Sequence, residues 1–501
     1  MLDSTACGQS CQGCGDERLW RDACGVFGIY GPGEDVANIT YFGLYALQHR
    51  GQEGAGIAVW DGEELHCHKG LGLAAQVFNE QVISDMQGSI ALGHVRYSTT
   101  GGNTYCNTQP MIGEGKFGPF AVAHNGNLIN TAALRQDLEA RGVLFEATSD
   151  TEVIVKLIEH QGADTIEEAV AGAMHHMRGA YSLGIVAPGK LLGVRDPNGV
   201  RPLSIGQING DKYVLASETC AHHVVGAEFV REVQPGEIVT LSAEGISAMQ
   251  AMDPARKSCC IFEFIYFARP DSHIYGKSVY MTRLRMGHLL AQQAPVDADL
   301  VIPVPESALP HAMGYAQVSK IPYGEGLIKN RYIFRTFIAP DQRLRDLGVK
   351  MKLSPLKENL AGRRVVVVDD SIVRGTTTGP EVELLREAGA REIHLRISSP
   401  PIKYPCFYGI DTSAGRSELI AARMTVPEIR AHLDADSLEY LDIKNLVKAV
   451  GLPKTNFCTA CFDRQYPIPV PRAIKVTKFD LEKPAEKAVE KAADDGDRPE
   501  S

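Results

Sequence analysis

Residues 365–377 bring together side chains that suit a sugar phosphate. Asp369 and Asp370 are neighbouring carboxylates, which repel a phosphate but can accept hydrogen bonds from sugar hydroxyls or hold a metal ion that bridges to them. The loop that follows is rich in small residues, and its backbone N–H groups, together with the start of the next helix, can cradle a phosphate. That loop consists of Ser371, Ile372, Val373, Arg374, Gly375, Thr376 and Thr377. The combination predicts a site for a ribose 5-phosphate.

The flanking residues predict how the chain positions this site. Val365–Val368 is a run of four β-branched residues, which is typical of a strand buried on both faces of a parallel sheet. A helix is expected to start at Glu381. The alternative is an ordinary buried strand that ends in a polar turn, but such turns rarely combine two acids with SxxxGTT. A P-loop is excluded because GxxxxGK[ST] does not occur.

This stretch resembles the signature of the type I phosphoribosyltransferases, which use phosphoribosyl pyrophosphate (PRPP). The resemblance implies that residues 369–377 bind PRPP. Lys329 and Arg331 belong to a long basic stretch, and in the family such a stretch is a lid that closes over PRPP and neutralises the pyrophosphate. A solvated charged face is the alternative for that stretch.

The same resemblance implies one Mg²⁺ per chain. Its ligands would be Ser307, Asp369 and Asp370, and Ser307 ends the stretch Asp299–Ser307, which is predicted to be a strand that enters a turn. Magnesium suits this site because PRPP is a polyanion, and Mg²⁺ is usually held by a few protein oxygens together with substrate phosphates.

Composition and charge limit the remaining possibilities. The chain has 501 residues, enough for more than one domain, and its 44% hydrophobic and 22% charged residues are normal for a globular protein. The net charge of -10 argues against a nucleic-acid binder, which would be basic. No apolar run approaches the roughly 18 residues of a membrane span, and the N-terminus does not resemble a secretory signal. We therefore expect a cytoplasmic protein whose twelve cysteines are ligands, nucleophiles or buried thiols rather than disulfides.

Four regions follow one another along the chain. Residues 1–23 are polar and contain Cys7, Cys11 and Cys14, a spacing that we do not explain. Residues 24–255 contain short Gly-rich strands and a few helices. Residues 256–470 alternate strands and helices, which predicts a parallel sheet. Residues 471–501 are highly charged with few apolar anchors, and we expect them to be disordered or to form a marginal helix.

The second region holds candidate catalytic residues in separate motifs. Cys24 precedes a predicted strand at Gly25–Tyr30, and a helix is predicted to begin at Ser149. The other motifs are QHRGQEG at 48–54, GHVRYST at 93–99, HNGN at 124–127 and TSDTE at 148–152.

These motifs jointly resemble the class II glutamine amidotransferases, an N-terminal-nucleophile family. The resemblance implies that residues 1–23 are a propeptide and that the freed α-amine of Cys24 is the base for its own thiol. The two groups match, because an α-amine has a pKa of about 7.7–8.0 and a thiol about 8.5. In the glutamine site, Arg96 would bind the α-carboxylate and Asp150 the α-ammonium, Thr99 would line the pocket, and Asn125 and Gly126 would form the oxyanion hole.

Each of these residues also has a structural alternative. Arg96 suits a surface ion pair, Asn125-Gly126 a type I′ hairpin turn, and Asp150 a helix cap.

Four further cysteines suggest a cluster. Cys458 and Cys461 form a CxxC, which alone is a weak signal for a redox pair, a zinc site or an iron–sulfur site. Together with Cys260 and Cys406 they resemble the iron–sulfur subgroup of the amidophosphoribosyltransferases, which implies one structural [4Fe–4S] cluster per chain. Cys259, which is adjacent to Cys260, is the alternative fourth ligand. Zinc is the alternative metal, because a site of four thiolates suits both.

Over residues 24–466 the chain resembles the amidophosphoribosyltransferases. The resemblance implies an α+β N-terminal-nucleophile hydrolase domain with αββα layers, followed by an α/β type I phosphoribosyltransferase domain with a parallel sheet. The expected reaction transfers the glutamine amide nitrogen to PRPP, giving 5-phosphoribosylamine, pyrophosphate and glutamate, the first committed step of purine synthesis. Purine nucleotides are expected as feedback inhibitors and a homodimer or homotetramer as the assembly. A sugar-phosphate-aminating amidotransferase and a silent PRPP-binding regulator are the alternatives.

Overall fold

The computed structural model describes residues 24–97, 102–330, 352–410 and 416–470. The predicted propeptide and the predicted disordered tail lie outside these ranges, so both stay predictions. No helix among the described residues is both long and apolar enough to cross a bilayer. Eight of the described cysteines are free thiols, as expected.

Two antiparallel sheets form the first half of the described chain. In spatial order the first contains Glu228–Glu232, Ser204–Ile208, Lys212–Ala216, Gly25–Tyr30, Ile90–Arg96, Gly54–Trp60 and Leu65–Leu71. The second contains Gly245–Gln250, Glu237–Ser242, Lys190–Arg195, Gly179–Ala187, Gly118–Leu128 and Met111–Gly115.

Strand periodicity explains how these sheets stack. Side chains of a strand point alternately to its two faces. In Gly25–Tyr30, Val26 therefore joins the core between the sheets, which also contains Ala121 of the second sheet. Phe27 joins the core under a helix, which also contains Leu44.

Helices cover the outer faces of both sheets. The helix Val36–Ala46 lies on the first sheet, and Asp150–Glu159 packs Val153 and Ile154 on the second. The other helices of this half are Ala74–Val77, Glu80–Asp85, Tyr105–Asn107 (3₁₀), Thr131–Ala140, Ile166–Met174 and Thr219–Val224. The expected αββα layering is confirmed.

The second half contains a parallel sheet. Its strands in spatial order are Leu300–Pro303, Arg364–Asp369, Glu392–Ile397 and Ser437–Tyr440. Val365 and Val367 enter the core on one face, and Val366 and Val368 enter the core on the other. The valine run is thus buried on both faces, as predicted.

Helices and three short ladders surround this sheet. The helices are Val279–Gln293, Leu309–Ser319, Lys357–Leu360, Thr378–Glu387, Ile420–Arg423, Val426–His432, Ile443–Val450 and Ala460–Asp463, with 3₁₀ turns at Arg416–Glu418 and Lys454–Asn456 and a π-helical turn at Glu263–Phe267. The ladders pair Cys259–Cys260 with Phe457–Cys458, His273–Ile274 with Lys277–Ser278, and Leu327–Lys329 with Leu353–Pro355.

Candidate active sites

A small pocket opens beside Cys24. This buried residue precedes the strand Gly25–Tyr30, and its Sγ lies 3.2 Å from the carbonyl oxygen of Tyr97 and 3.4 Å from the Tyr97 backbone nitrogen. The pocket is lined by Cys24, Arg96, Tyr97, Gln109, His124, Gly126, Ser149 and Asp150. Four residues predicted from separate motifs thus line one pocket.

The thiol of Cys24 is protonated at neutral pH. Burial raises its pKa to about 12, although the neighbouring Arg96 opposes the rise. A base must therefore take the proton before the sulfur can attack a carbonyl. Among the described residues the hydrogen-bond partners of Sγ are backbone groups of Tyr97, so no side chain there is placed as that base.

Asn125 and Gly126 lie within a strand and not in a hairpin turn, so the turn alternative is wrong. The strand Gly118–Leu128 pairs with Gly179–Ala187 and continues past both residues. Asn125 is fully buried, and neither amide atom has a hydrogen-bond partner among the described residues. An unsatisfied buried polar group costs about 1–3 kcal/mol, and Asn125 itself is not among the residues that line the pocket, whereas its neighbours His124 and Gly126 are.

Gly126 must be a glycine. Its φ is +153°, and a Cβ there would lie 2.0 Å from the carbonyl oxygen of Ala180. The absent side chain lets the backbone approach the pocket closely.

Arg96 and Asp150 bring opposite charges to the pocket. Arg96 ends the strand Ile90–Arg96, is buried, and donates to the carbonyl oxygen of Gly102 at 3.1 Å. Asp150 accepts a hydrogen bond from the Leu128 N–H at 3.1 Å. A guanidinium and a carboxylate around one pocket suit the two charged ends of an α-amino acid.

The helix that carries Asp150 begins as predicted. Ser149 is its cap and accepts from the Thr151 N–H at 3.1 Å, so the capping role falls to Ser149 and not to Asp150. Thr99 lies outside the described residues.

The acid pair lies at the carboxyl edge of the parallel sheet. Asp369 ends the strand Arg364–Asp369, and Asp370 follows it; both are buried. Asp370 accepts hydrogen bonds from the hydroxyls of Ser307 at 2.5 Å and Ser371 at 2.6 Å. The structure thus brings together Ser307, from the loop after the neighbouring strand, and the acid pair.

Electrostatics at this edge favour a cationic or hydrogen-bond-donating partner. Burial raises the pKa of Asp369 well above its ordinary value, and the nearby carboxylates of Asp370 and Glu381 add to the rise. Burial also raises the pKa of Asp370, against the hydrogen bonds from Ser307 and Ser371. A cation or a set of hydroxyl donors would favour the ionised pair again.

The loop 371–377 leads directly into the helix Thr378–Glu387. The predicted start at Glu381 is wrong by three residues, because Pro380 is tolerated in the first turn of a helix, where its missing N–H has no intrahelical partner. Gly375 has a φ of +80°, which suits a tight loop.

Side chains of the predicted PRPP residues point to different places. Ile372 is buried in the core, so only its backbone can meet a ligand. Arg374 pairs with Glu418 at 2.8 Å, and Lys329 lies 3.5 Å from Glu306. Arg331, with most of the predicted lid, lies outside the described residues.

The four predicted cluster cysteines come from three segments that meet. Cys260 lies opposite Cys458 in a parallel ladder. The carbonyl oxygen of Cys461 accepts a hydrogen bond from Tyr404, two residues before Cys406, at 3.1 Å.

The thiols of the four cysteines interact electrostatically. Burial raises the pKa of Cys461 well above its ordinary value, and the thiols of Cys458, Cys260 and Cys406 raise it further. The Sγ of Cys406 accepts from the backbone N–H of Tyr408 at 3.3 Å, the kind of contact that tunes thiolate ligands.

Cys259 faces the other way from Cys260. Adjacent residues of a strand point to opposite faces, and the thiol of Cys259 lies near Arg195 and Tyr275. The register therefore favours Cys260 over Cys259 as the member of the group.

Within the part of the chain that the structure describes, no group of three or more His, Cys, Asp or Glu side chains is arranged to hold a metal ion. A single zinc ion would require such convergence. An iron–sulfur cluster differs from a single ion, because each thiolate binds its own iron atom.

Sequence reasoning assigned no role to Arg50 and Gly409. Arg50 is fully buried and donates from Nε to the carbonyl oxygen of Cys24 at 3.1 Å. Its position in the QHRGQEG motif was the one feature of the sequence that could have identified it as a functional residue. Gly409 has a φ of +99°, and a Cβ there would lie 2.9 Å from the carbonyl carbon of Gly126. Only the tertiary structure shows that contact.

Known proteins resemble this chain along most of its length. A family model described as a glutamine amidotransferase domain matches residues 94–223. An amidophosphoribosyltransferase from Synechocystis sp. is 52% identical over 468 residues, which cover 92% of this chain and 94% of the relative.

Two solved structures are similar as well. One, described as the allosteric regulatory enzyme of purine biosynthesis, has a TM-score of 0.87 at 48% identity and covers 93% of this chain and 100% of its own. The other is glutamine PRPP amidotransferase from B. subtilis complexed with ADP and GMP, with a TM-score of 0.85 at 48% identity, covering 90% of this chain and 98% of its own.

Proposed function

The chain belongs to the amidophosphoribosyltransferase family, and from that premise we propose how its residues divide the reaction. The enzyme transfers the amide nitrogen of glutamine to PRPP in the first step of purine synthesis. The alternatives of a sugar-phosphate-aminating enzyme and a silent regulator are set aside, because the similarity spans both halves of the chain. The pocket that brings together Cys24, Arg96, Gly126 and Asp150 carries the proposal. The unpartnered amide of Asn125, next to Gly126 in the same strand, supports it.

Glutamine binds in the Cys24 pocket in this proposal. Arg96 pairs with its α-carboxylate and Asp150 with its α-ammonium, and Thr99 lines the pocket by resemblance. This leaves the side-chain amide of glutamine toward Cys24 and Asn125. The proposal is supported by the opposite charges that line the pocket.

Cys24 is the nucleophile, and its own α-amine is the base. The amine takes the thiol proton, the sulfur attacks the amide carbon, and the oxyanion is stabilised by the Asn125 side-chain N–H and the Gly126 backbone N–H. The amine returns its proton to the leaving nitrogen, so ammonia departs and a thioester forms, which water cleaves to glutamate. This route requires a chain that begins at Cys24, because the nitrogen of an uncut chain is a non-basic amide.

PRPP binds at the edge of the parallel sheet. We assign the 5-phosphate to the loop 371–377 and the helix start at Thr378, the ribose hydroxyls to Asp369 and Asp370, and the pyrophosphate side to Lys329 and Arg331. Ammonia then displaces pyrophosphate from C1 of the ribose. Ammonia should reach this site internally, because ammonium, its main form in water at pH 7, is not a nucleophile.

The donor set at this edge fits magnesium. Ser307, Asp369 and Asp370 offer hard oxygen atoms, and a magnesium site needs few protein ligands when phosphates supply the rest. Bound there, the ion supplies positive charge that stabilises the leaving pyrophosphate.

Cys260, Cys406, Cys458 and Cys461 hold a [4Fe–4S] cluster in this proposal. Four neighbouring thiols could not all ionise without a cationic partner, and an N–H already points at the sulfur of Cys406. The role of the cluster is structural, since it would tie residues 406–461 back to Cys260.

Regulation, assembly and location follow from the family. We propose domains at residues 24–255 and 256–470. We also propose purine nucleotides as inhibitors, because the B. subtilis relative was solved with ADP and GMP. We propose a homodimer or homotetramer, since Tyr45 is 61% and Phe42 is 48% exposed on one helix. The cytoplasm is the proposed location, because both substrates are metabolites of the cell interior.

One comparison tests the two-site proposal. The Cys24→Ala variant should make no phosphoribosylamine from glutamine and PRPP but should keep its activity with ammonia and PRPP, measured as pyrophosphate release. Intact mass should show that the active enzyme begins at Cys24. Loss of both activities in a folded variant, or full glutamine activity with Met1 retained, would contradict the proposal.

A further inference from the structure

Buried charged side chains join the second half of the molecule to the backbone of Cys24. Arg50 donates from Nε to the carbonyl oxygen of Cys24 at 3.1 Å. Its two terminal nitrogens donate to the two carboxylate oxygens of Glu263 at 2.9 Å and 2.8 Å, a bidentate fork across 213 positions of sequence. All the side chains in this link are fully buried.

Glu263 belongs structurally to the second half. It begins the π-helical turn Glu263–Phe267, and such turns are frequent at functional sites. Its neighbour Phe264 packs in the same core as Val366 and Val368 of the parallel sheet. The carboxylate that orients Arg50 is therefore anchored to the PRPP-binding half.

Arg201 and Glu218 also belong to this network. Arg201 donates to Glu263 at 3.2 Å and, from two nitrogens, to the carbonyl oxygen of Tyr408 at 3.1 Å each. Glu218 accepts from Arg50 at 2.5 Å. The charges of the two arginines oppose those of the two glutamates, and His49 also contacts Glu218 at 2.7 Å. The bidentate contact of Arg50 with Glu263 fixes a direction as well as a distance.

We propose that Glu263 is a positioning residue for the glutamine half-reaction, because it aims Arg50 at the backbone of Cys24. The inference rests on the proposed function, in which Cys24 becomes the first residue of the chain. A terminal residue has no preceding peptide to hold it, and chain ends fray unless they are tied down. The carbonyl of Cys24 is one bond from the Cα that bears both the thiol and the amine, so Arg50 fixes nucleophile and base together.

The contact needs a carboxylate with both oxygens accepting. In Glu263→Gln, one oxygen becomes an NH₂ group that faces an N–H of Arg50, donor against donor. Arg50 would keep Glu218 but lose the fork that sets its direction.

The test compares two nitrogen sources in the full-length enzyme. Glu263→Gln should lower kcat with glutamine by about 10- to 100-fold, the scale of a small misplacement of a catalytic group. KM for glutamine should not change, because Arg96 and Asp150 are untouched, and the rate with ammonia should equal that of wild type. Glu237→Gln is the matched control: Glu237 makes the same fork with Arg231, at 2.7 Å and 2.9 Å, without a link to Cys24, and both rates should stay at wild-type level.

A second variant covers the case in which Glu263→Gln does not fold. Glu263→Asp keeps the carboxylate charge but is one methylene too short for the fork, so the same selective fall in kcat is expected. Full glutamine activity in a folded variant, or an equal fall with both nitrogen sources, would overturn the inference. A wild-type enzyme that used ammonia but not glutamine would overturn the proposed function, and the inference with it.

Discussion

Replacing Asn125 by leucine should stabilise the protein while it disables glutamine chemistry. Leucine has nearly the shape of asparagine but no polar atoms, so it leaves no cavity. Asn125 is fully buried, and both of its amide atoms lack a partner among the described residues. Each unsatisfied buried group costs about 1–3 kcal/mol, so Asn125→Leu should raise the free energy of unfolding by about that amount.

The catalytic effect of this change should be large. Without its side-chain N–H, the oxyanion formed on glutamine keeps only the backbone donor of Gly126. Removal of one oxyanion-hole donor costs about 10²–10³ in kcat. The rate with ammonia should not change, because PRPP binds at the other site.

Asn107→Leu is the matched control for stability. Asn107 is also buried, but its amide donates to the Gly102 carbonyl and the Thr148 hydroxyl, and it accepts from the Thr148 N–H, each at 2.9 Å. Its replacement should lower the free energy of unfolding by about 1–3 kcal/mol. Urea unfolding gives both stabilities, and glutamate release with PRPP present gives the rate. If Asn125→Leu destabilised the protein as Asn107→Leu does, Asn125 would be a structural residue and the oxyanion assignment would be refuted.

Three further changes test the other sites. Asp370→Asn should lower pyrophosphate release by roughly 10²-fold with either nitrogen source and leave PRPP-independent glutamine hydrolysis intact; a normal rate would mean that the sugar site is misplaced. Cys461→Ser should lower the melting temperature and the iron and sulfide content together, because metal-binding energy is folding energy; colourless, active wild-type protein with zinc would contradict the iron–sulfur assignment. Gly409→Ala should place a Cβ 2.9 Å from the carbonyl carbon of Gly126, and the displacement should lower kcat with glutamine but not with ammonia. Gly451→Ala, with a φ of +74° but nothing within 4 Å, should lower stability only, and an equal loss of glutamine activity in it would show that strain explains the effect.

The sequence by itself determined the features whose atoms are close along the chain. The valine run before Asp369 specified a strand buried on both faces, because its apolar pattern is local. Ser149 marked a helix start, because a cap bonds to residues two or three positions ahead. The family could be recognised for the same reason, since each of its motifs is contiguous.

Only the tertiary structure decided features that depend on distant partners. Asn125-Gly126 suits a turn or a strand equally well until the strand Gly179–Ala187 pairs with it. The contact between Arg50 and Glu263 joins residues 213 positions apart, so no local sequence pattern predicts it. The energy of a buried amide or charge depends on the groups that surround it in space, and those groups are known only when the chain has folded.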